Sequence, residues 1–285
     1  KSCAGTQQTM KTPVLNYPGS KFAAAKFIIS KIPADHVGST EGFGGTAHVL
    51  LQKKRSKIEI YNDKAHGVTN FFQVLRDHTD ELVRLVELTP WSAEEHALCL
   101  LPTSDPVEAA RRFYFRCWSS IQPFSSSPGF RRQKKVESGQ TSAAMKFMRT
   151  DHLFGVAERL RGVVIEPCLD AKVFYQTYNQ PNFFHYVDPP FFVETRRNKS
   201  QDLYEIEMKE EQEHRDLAKT LHNLNGFVLL NGYSCDLYAE LYEQQGWTRV
   251  DEPIRVNGGR QRVESVWLNP RLATQLSIGV QINLF

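Results

Sequence analysis

The sequence lacks the features that mark membrane, secreted and zinc-binding proteins. No stretch approaches the ~18–20 apolar residues of a membrane-spanning helix, and the first residues contain no apolar core of a secretion signal. The five cysteines are scattered, at Cys3, Cys99, Cys117, Cys168 and Cys235. They form no C-x-x-C pair, so the pattern indicates neither a zinc site nor a disulfide framework. We therefore expect a chain that binds neither membrane nor metal and works in a reducing, intracellular compartment.

Net charge is also small, at +3, but it is unevenly distributed. The segment from Arg111 to Arg149 holds nine Lys and Arg against a single Glu, a local charge of +8 that leaves −5 for the remainder. Aromatic residues are interleaved with these cations, which favours a polyanion partner over a merely solvated basic face. The candidate contacts lie here and in a second basic connection: Arg116, Arg131, Arg132, Lys134, Lys135, Arg196 and Arg197.

The most informative stretch is an apolar strand that ends in an acid and two prolines. Phe183 to Val187 is typical of a buried strand, and it must stop at Pro189 because proline cannot donate to a sheet. The sequence Asp188-Pro189-Pro190-Phe191 then offers a carboxylate, a directed carbonyl and a flat ring. These groups suit an amino group on a flat heterocycle, whose two N–H bonds the carboxylate and carbonyl can accept. The alternative is an ordinary strand-ending turn.

The first part of the chain is typical of a nucleoside-binding half of an open α/β sheet. A turn at Tyr17-Pro18-Gly19-Ser20-Lys21 leads into a helix, and helix N-termini favour anions. A glycine turn, Glu41-Gly42-Phe43-Gly44-Gly45-Thr46, precedes another helix, and the strand at Ile58–Tyr61 ends at Asn62-Asp63. An acid after the second strand of such a unit commonly accepts the two ribose hydroxyls. A Rossmann-like unit without a ligand is the alternative.

A further acid follows the strand at 163–166. Asp170 stands just before a short helix that begins near Ala171. It suits two roles equally, as the N-cap of that helix or as a partner of an adenine amino group. In the second case Phe174 or Tyr175 would lie against the ring.

The remaining chain predicts an interrupted α/β sheet. A helical stripe covers 66–87, and mainly helical patterns continue to 160, so we expect an inserted domain at 77–158 between two parts of the sheet, at 11–76 and 159–285. Segments 247–255 and 262–269 read as an antiparallel pair joined through Asn257-Gly258-Gly259. The expected fold class is α/β, a Rossmann-like sheet with an antiparallel C-terminal hairpin and an inserted, mainly helical domain.

With these four motifs in order, and a closing strand at Ser265–Asn269, the chain resembles the Dam-like, D12-class, alpha-group DNA adenine-N6 methyltransferases. The resemblance implies transfer of a methyl group from S-adenosylmethionine to adenine N6 in double-stranded DNA, after base flipping. It implies recognition of the target by 77–158 and catalysis by Asp188, Pro189, Pro190 and Phe191. It also implies a monomeric cytoplasmic protein, bacterial or phage-encoded, or one in the DNA compartment of a host cell. The implied cofactor contacts are Tyr17, Gly19, Lys21, Gly42, Phe43, Gly44, Gly45, Asp63, Asp170, Ala171 and Asp188.

Two departures from the family pattern limit the prediction. Phe191 stands where Tyr is commoner, which keeps stacking but removes a hydroxyl, and the recognition segment does not match the arm of GATC-specific members. Acid-Pro-Pro-aromatic sites serve exocyclic amines generally, so cytosine N4 or an RNA base are alternative acceptors. A DNA-binding relative without turnover is the third reading, against which the intact Asp188, Asp63 and Lys21 argue. Within the recognition segment, Ser119–Gln140 lacks periodicity, and we expect a DNA-reading arm that becomes ordered on DNA.

Overall fold

The computed structural model describes residues 12–132, 141–196, 202–255 and 261–282. The strands are β1 (Gly38–Glu41), β2 (Ile58–Tyr61), β3 (Ser120–Ile121), β4 (Gly129–Phe130), β5 (Val164–Ile165), β6 (Phe183–Val187), β7 (Phe227–Gly232), β8 (Thr248–Arg255) and β9 (Gln261–Leu268). The first six helices are α1 (Ala25–Ile29), α2 (His48–Gln52), α3 (His66–Asp77), α4 (Thr79–Glu87), α5 (Ala93–Leu98) and α6 (Pro106–Ser119). The others are α7 (Ala143–Phe147), α8 (Asp151–Leu160), α9 (Ala171–Thr177), α10 (Glu211–His222), α11 (Asp236–Leu241) and α12 (Pro270–Ile282). Single 3-10 turns lie at Val193–Thr195 and Glu243–Gln245.

Seven strands form one sheet in the order β5-β2-β1-β6-β7-β9-β8. The first five are mutually parallel, whereas β9 runs antiparallel to both β7 and β8. The predicted mixed α/β sheet with an antiparallel C-terminal pair is thereby confirmed; the predicted turn at Asn257-Gly258-Gly259 lies outside the described residues. In chain order, β2 and then β5 are added on one side of β1, and β6 is added on the other side of β1. Ligands of open α/β sheets bind at such a reversal, beyond the carboxyl ends of the strands.

The central strand β6 is buried along its whole length and divides its side chains between the two faces of the sheet. Phe183 and Val187 join a cluster with α9, α10 and α11, while Phe184 and Tyr186 join one with α1 and α12. Alternate residues of a strand point to opposite faces, so a strand covered on both sides is mostly apolar. The exception, His185, is buried and hydrogen-bonded to the Thr40 hydroxyl at 2.9 Å. This packing fixes the position of Asp188 at the carboxyl end of β6.

Where the structure describes the segment 77–158, at 77–132 and 141–158, it is mainly helical, as predicted, with the β3–β4 hairpin as its pair of strands. Its buried side chains belong to the same cluster as α2 and α3, and Phe71 of α3 stacks on Tyr114 of α6 with ring centroids 5.7 Å apart. Arg159, one residue past the predicted boundary on the same helix α8, bonds Glu59 of β2 and the Leu50 carbonyl of α2. The division into two domains stays a prediction, because these contacts tie the segment to the sheet domain.

The helix predicted over 66–87 is interrupted, since α3 ends and α4 begins around His78, whose φ and ψ are −133° and 42°. Thr79 donates its hydroxyl to the Leu75 carbonyl, and Asp80 and Glu81 occupy the first turn of α4. Acids in a first turn stabilise a helix N-terminus, which favours a fresh start here. Over the described residues, none of the helices combines the length and the apolar character that crossing a bilayer requires.

Candidate active site

Asp188 follows β6 directly, and one of its oxygens is already bonded inside the protein. Its Oδ1 lies 3.0 Å from the Lys21 ammonium and accepts a hydrogen bond of 2.9 Å from the Asn231 amide. Among the described residues, no donor contacts Oδ2. Burial raises the pKa of Asp188, and Lys21 and Asn231 oppose that rise by stabilising the charged form. The carboxylate thus has one fixed oxygen and one that can accept a proton donor from the pocket.

Lys21 reaches this carboxylate from the turn that precedes α1. Its ammonium also lies 3.3 Å from the Gly19 carbonyl and 4.5 Å from the centroid of the Phe191 ring. Burial by itself would lower the pKa of Lys21, but Asp188 and Glu264 outweigh burial and raise that pKa. Lys21 therefore stays charged and links the opening turn to the Asp-Pro-Pro-Phe stretch.

Phe191 is packed more tightly than the sequence indicates. Its side chain is 7 % exposed and meets the Tyr233 ring edge-on at 4.6 Å. Asp188 and Pro190 line the pocket described below, whereas Pro189 and Phe191 do not. Tyr233, which sequence reasoning missed, therefore shields the ring predicted to stack on a base.

The glycine turn after β1 is held by two tyrosines. The Gly42 amide donates to the Tyr175 hydroxyl at 2.9 Å, and the Tyr61 hydroxyl donates to the Gly45 carbonyl at 2.8 Å. A side chain at Gly44 would meet the Tyr61 ring at 2.1 Å, and Gly45 has φ +47°, so both positions favour glycine. The prediction that Phe174 or Tyr175 lies against a ligand ring is wrong, because both are fully buried and neither lines the pocket.

Asp63 closes the same turn from the end of β2. Its two oxygens accept the backbone amides of Gly45 and Ala65, each at 2.8 Å. Burial raises the pKa of Asp63 to about 6, despite these two donors. Each oxygen keeps a further lone pair, so the carboxylate can still accept ligand hydroxyls.

Glu41, the last residue of β1, is a site residue to which the sequence alone assigned no role of its own. It is 2 % exposed, it lines the pocket, and its Oε1 has no hydrogen-bond partner among the described residues. Burial raises its pKa to about 8. A buried carboxylate without a partner is costly, so this oxygen favours a cationic or hydrogen-bonding ligand.

Asp170 has the N-cap role that was one of its two predicted alternatives. Its carboxylate accepts the Lys172 amide at 3.0 Å, while its second oxygen lies 3.1 Å from the Lys64 ammonium. It also lines the pocket, so the contact with a ligand stays a prediction.

The structure brings the predicted cofactor contacts to one pocket at the carboxyl ends of β1, β2 and β6. These residues are Tyr17, Gly19, Lys21, Gly42, Phe43, Gly44, Gly45, Asp63, Asp170, Ala171 and Asp188. The pocket is also lined by Tyr204, Ile206, Glu207 and Met208, from a connection whose sequence carried no signal. Its acids, glycines and apolar walls suit a nucleoside that carries positive charge. The described residues contain no cluster of His, Cys, Asp or Glu that could hold a metal ion.

The residues predicted to bind DNA lie in different environments, and one of them is buried. Arg196 is 9 % exposed and binds the Phe191 carbonyl at 2.9 Å and Glu207 at 2.6 Å. Its guanidinium supports the active site from within, which corrects the predicted DNA contact. Lys134, Lys135 and Arg197 lie outside the described residues.

The predicted arm is partly ordered, which corrects its expected lack of structure. Its first half forms the β3–β4 hairpin, and Phe124 is 9 % exposed, with its ring 5.0 Å from that of Tyr17. Arg116 donates to the Pro123 carbonyl, and Arg131 donates to the Ser120 carbonyl at 3.0 Å. The Phe124 ring thus anchors this part of the chain to the core, a contact that composition did not indicate. Arg132 is exposed.

The chain is a mixed α/β protein with a mostly parallel sheet, and its pocket, whose lining suits a nucleoside, lies beside an acid-Pro-Pro-aromatic stretch. The family model for D12 class N6 adenine-specific DNA methyltransferases matches residues 17–101. No curated protein matches the chain. The family resemblance predicted from the sequence is confirmed over the matched residues, which include the opening turn, the glycine turn and Asp63. Asp188 lies beyond them.

Proposed function

We propose that this protein transfers a methyl group from S-adenosylmethionine to N6 of an adenine flipped out of double-stranded DNA. The family match implies DNA adenine methylation. The observation that carries the finer proposal is the position of Asp188. Its Oδ1 is held by Lys21 and Asn231, and its Oδ2 meets no described donor, at the edge of a pocket suited to a nucleoside.

The pocket residues fit S-adenosylmethionine, which supplies an electrophilic methyl group on a sulfonium. Asp63 would accept the ribose hydroxyls, and Glu41 offers a buried oxygen without a partner to the ammonium of the amino acid part. The glycine turn lets the backbone approach closely. The acidic lining, with Asp170 at its margin, suits a ligand that carries net positive charge.

Asp188 and Pro189 would act on the acceptor. Oδ2 of Asp188 accepts one N6 hydrogen, and the Pro189 carbonyl, which no described donor occupies, accepts the other. Both bonds orient the nitrogen lone pair towards the methyl group. As the N–C bond forms, the S–C bond of the sulfonium would break, S-adenosylhomocysteine would leave, and one N6 proton would be released to water. Positioning is the main requirement when the leaving group is already good. A paired base does not expose this nitrogen for in-line attack, so the adenine must be flipped.

The test is a methyl-transfer assay with labelled donor on double-stranded DNA of mixed sequence and, in a parallel reaction, on RNA, followed by mapping of the modified base. We expect label on adenine N6 at one short target sequence. Label on cytosine N4 or on RNA would replace the acceptor in the proposal. DNA binding without transfer would identify a relative that has lost turnover, and S-adenosylmethionine that fails to bind would remove the cofactor assignment.

A further inference from the structure

Glu264 of β9 is a buried acid that the proposed reaction does not yet use. Its side chain is 1 % exposed, and it follows Arg262 by two positions, on the same face of the strand. Burial opposes its ionisation, but Lys21 and Arg262 lower its pKa, so Glu264 is charged. Burying a charge is costly unless it is paired, and the identity of its partners therefore matters.

Those partners are the same groups that hold Asp188. The Asn231 Nδ2 donates both to Asp188 Oδ1 and to Glu264 Oε1, each at 2.9 Å. The Lys21 ammonium lies 3.0 Å from Asp188 Oδ1 and 3.5 Å from Glu264 Oε1. Two donors thus bridge the same two oxygens.

The second oxygen of Glu264 is paired separately. Arg262 donates to Oε2, and its guanidinium lies 5.6 Å from the centroid of the Tyr233 ring. Two carboxylates and two cations therefore form a neutral group behind the Asp188 carboxylate. Since Glu264 shares Lys21 and Asn231, neither donor is committed to Asp188 alone.

We propose that Glu264 is a positioning residue for the methyl transfer, one that orients Lys21 and Asn231 so that Asp188 presents Oδ2 to the amine and remains a strong acceptor. This inference rests on the proposed function. If Glu264 lost its charge, both donors would turn wholly to Asp188 and withdraw electron density from its carboxylate. The acceptor strength of Oδ2 would then fall.

The charged and titratable groups that face Asp188 come from several elements. They are Lys21 before α1, Tyr175 of α9, Tyr186 of β6, Tyr204 of the 202–208 connection, Tyr238 of α11, and Arg262 and Glu264 of β9. Among them Glu264 raises the pKa of Asp188, whereas Lys21 lowers it. Removal of the Glu264 charge must therefore lower the pKa of Asp188.

The experiment compares Glu264→Gln with Glu264→Asp and with Glu252→Gln. Glu252 is exposed and lies opposite Glu264 in the β8–β9 register, which makes it a matched control. We expect Glu264→Gln to lower kcat by about tenfold or more with little change in KM for DNA, because it acts on a group that engages the reacting amine. The acid limb of the rate profile should move to lower pH, Glu264→Asp should recover part of the rate, and Glu252→Gln should behave as wild type.

A second measurement does not depend on turnover. Carbon-detected NMR of the Asp188 carboxyl, assigned with Asp188→Asn, gives its titration in the protein alone, and Glu264→Gln should titrate at lower pH than wild type. Unchanged titration in Glu264→Gln would overturn the inference, as would a kcat equal to wild type. If Glu264→Gln does not fold, an Asp188 titration in Glu264→Asp equal to that in wild type would overturn it instead. A wild-type protein that transfers no methyl group contradicts the proposed function, while the titration still tests the role of Glu264.

Discussion

The hydroxyl of Tyr175 accepts the amide of Gly42 at 2.9 Å, and it donates to the Tyr186 carbonyl at 2.6 Å. One phenol oxygen therefore links the glycine turn after β1 to the end of β6. The pocket is lined from both of these segments. Tyr175 bonds Gly42, which lines the pocket, but Tyr175 itself does not line it. The positions of the glycine turn and of Asp188 are coupled through this oxygen.

Tyr175→Phe should lower both stability and cofactor affinity. The change leaves a buried amide and a buried carbonyl without their partner, which costs about 1–3 kcal/mol for each unsatisfied group. Urea denaturation should show a lower free energy of unfolding, and calorimetry should show weaker binding of S-adenosylmethionine. Tyr178→Phe is the control, because Tyr178 is the C-cap residue of the same helix and bonds Glu166 away from the pocket. Equal cofactor affinity in Tyr175→Phe and wild type would contradict the coupling.

Asp188→Ala should abolish methyl transfer and leave duplex DNA binding largely intact. The carboxylate engages the reacting amine, whereas duplex affinity comes mostly from phosphate contacts. We expect the single-turnover rate to fall by more than about 100-fold, with the dissociation constant for DNA nearly unchanged in a fluorescence titration. Retention of a tenth of the wild-type rate would be incompatible with the role assigned to Asp188.

Asp63→Ala should weaken S-adenosylmethionine binding. If the carboxylate accepts the ribose hydroxyls, its loss removes roughly 1.5–3 kcal/mol of charge-assisted hydrogen bonding. Part of the effect comes from the glycine turn, since Asp63 also accepts the Gly45 amide. A comparison of S-adenosylmethionine with its 2′,3′-dideoxy analogue separates the loss of ribose contacts from the loss of the turn contact. The analogue lacks both hydroxyls, so its dissociation constant should differ less between wild type and variant. An unchanged dissociation constant by calorimetry would remove Asp63 from the site.

The raised pKa of Asp63 also predicts a pH dependence of stability. Its folded value of about 6 exceeds the ordinary 3.8, so between these values the folded state binds more protons than the unfolded state. The free energy of unfolding must therefore fall as pH rises through this window, by on the order of 1–3 kcal/mol from this group. Asp63→Asn removes the contribution. The free energy of unfolding of wild type and variant is measured by urea denaturation from pH 4 to 7 in steps of about one unit. The value for wild type minus the value for the variant should fall as pH rises and level off above pH about 6.

Much of the sheet could be predicted because its strands are short and apolar, and because proline, glycine or acidic residues mark their ends. Phe183–Val187 is the clearest case: its five residues are buried on both faces, and the prolines fix its end. Many of the residues that line the pocket were predictable for a related reason, since glycine turns and acids at strand ends mark a sheet edge whatever the sheet order. Sequence period alone did not indicate the break at His78, because one residue with non-helical φ and ψ leaves the apolar stripe nearly unchanged.

The remaining site residues depend on distant parts of the chain. Glu264 and Asn231 meet Asp188 only because β9 pairs with β7 and β7 with β6. Arg196 looked like a surface cation because its neighbours in sequence are polar, yet Glu207 and the Phe191 carbonyl neutralise and bury it. An acid within an apolar strand, as at Glu264, is the one signal that could have been noticed.

The cations that follow the β3–β4 hairpin in the sequence are expected to read DNA. Arg116 and Arg131 donate to carbonyls of the hairpin, and burial lowers the pKa of Arg131, so both serve its structure. Arg132 is exposed, and Lys134 and Lys135 follow it in sequence. We expect these three to carry the DNA contacts. Replacing by alanine a residue that contacts a phosphate should flatten the salt dependence of binding by about one unit of slope. If Arg132 reads a guanine edge, its loss should instead cost about 1–3 kcal/mol at one base pair.

The measurement is affinity for the mapped target as a function of salt, and for variants with single base changes, with each residue replaced by alanine in turn. Arg215→Ala is the matched control, because Arg215 is a surface arginine already paired with Glu211 and Glu240. It should leave both the slope and the target sequence unchanged. If Arg132→Ala, Lys134→Ala and Lys135→Ala all keep the wild-type slope and target, these three cations do not read DNA. The exposed Lys146 and Arg149, around the end of α7, would then be the next candidates, since they belong to the same basic segment.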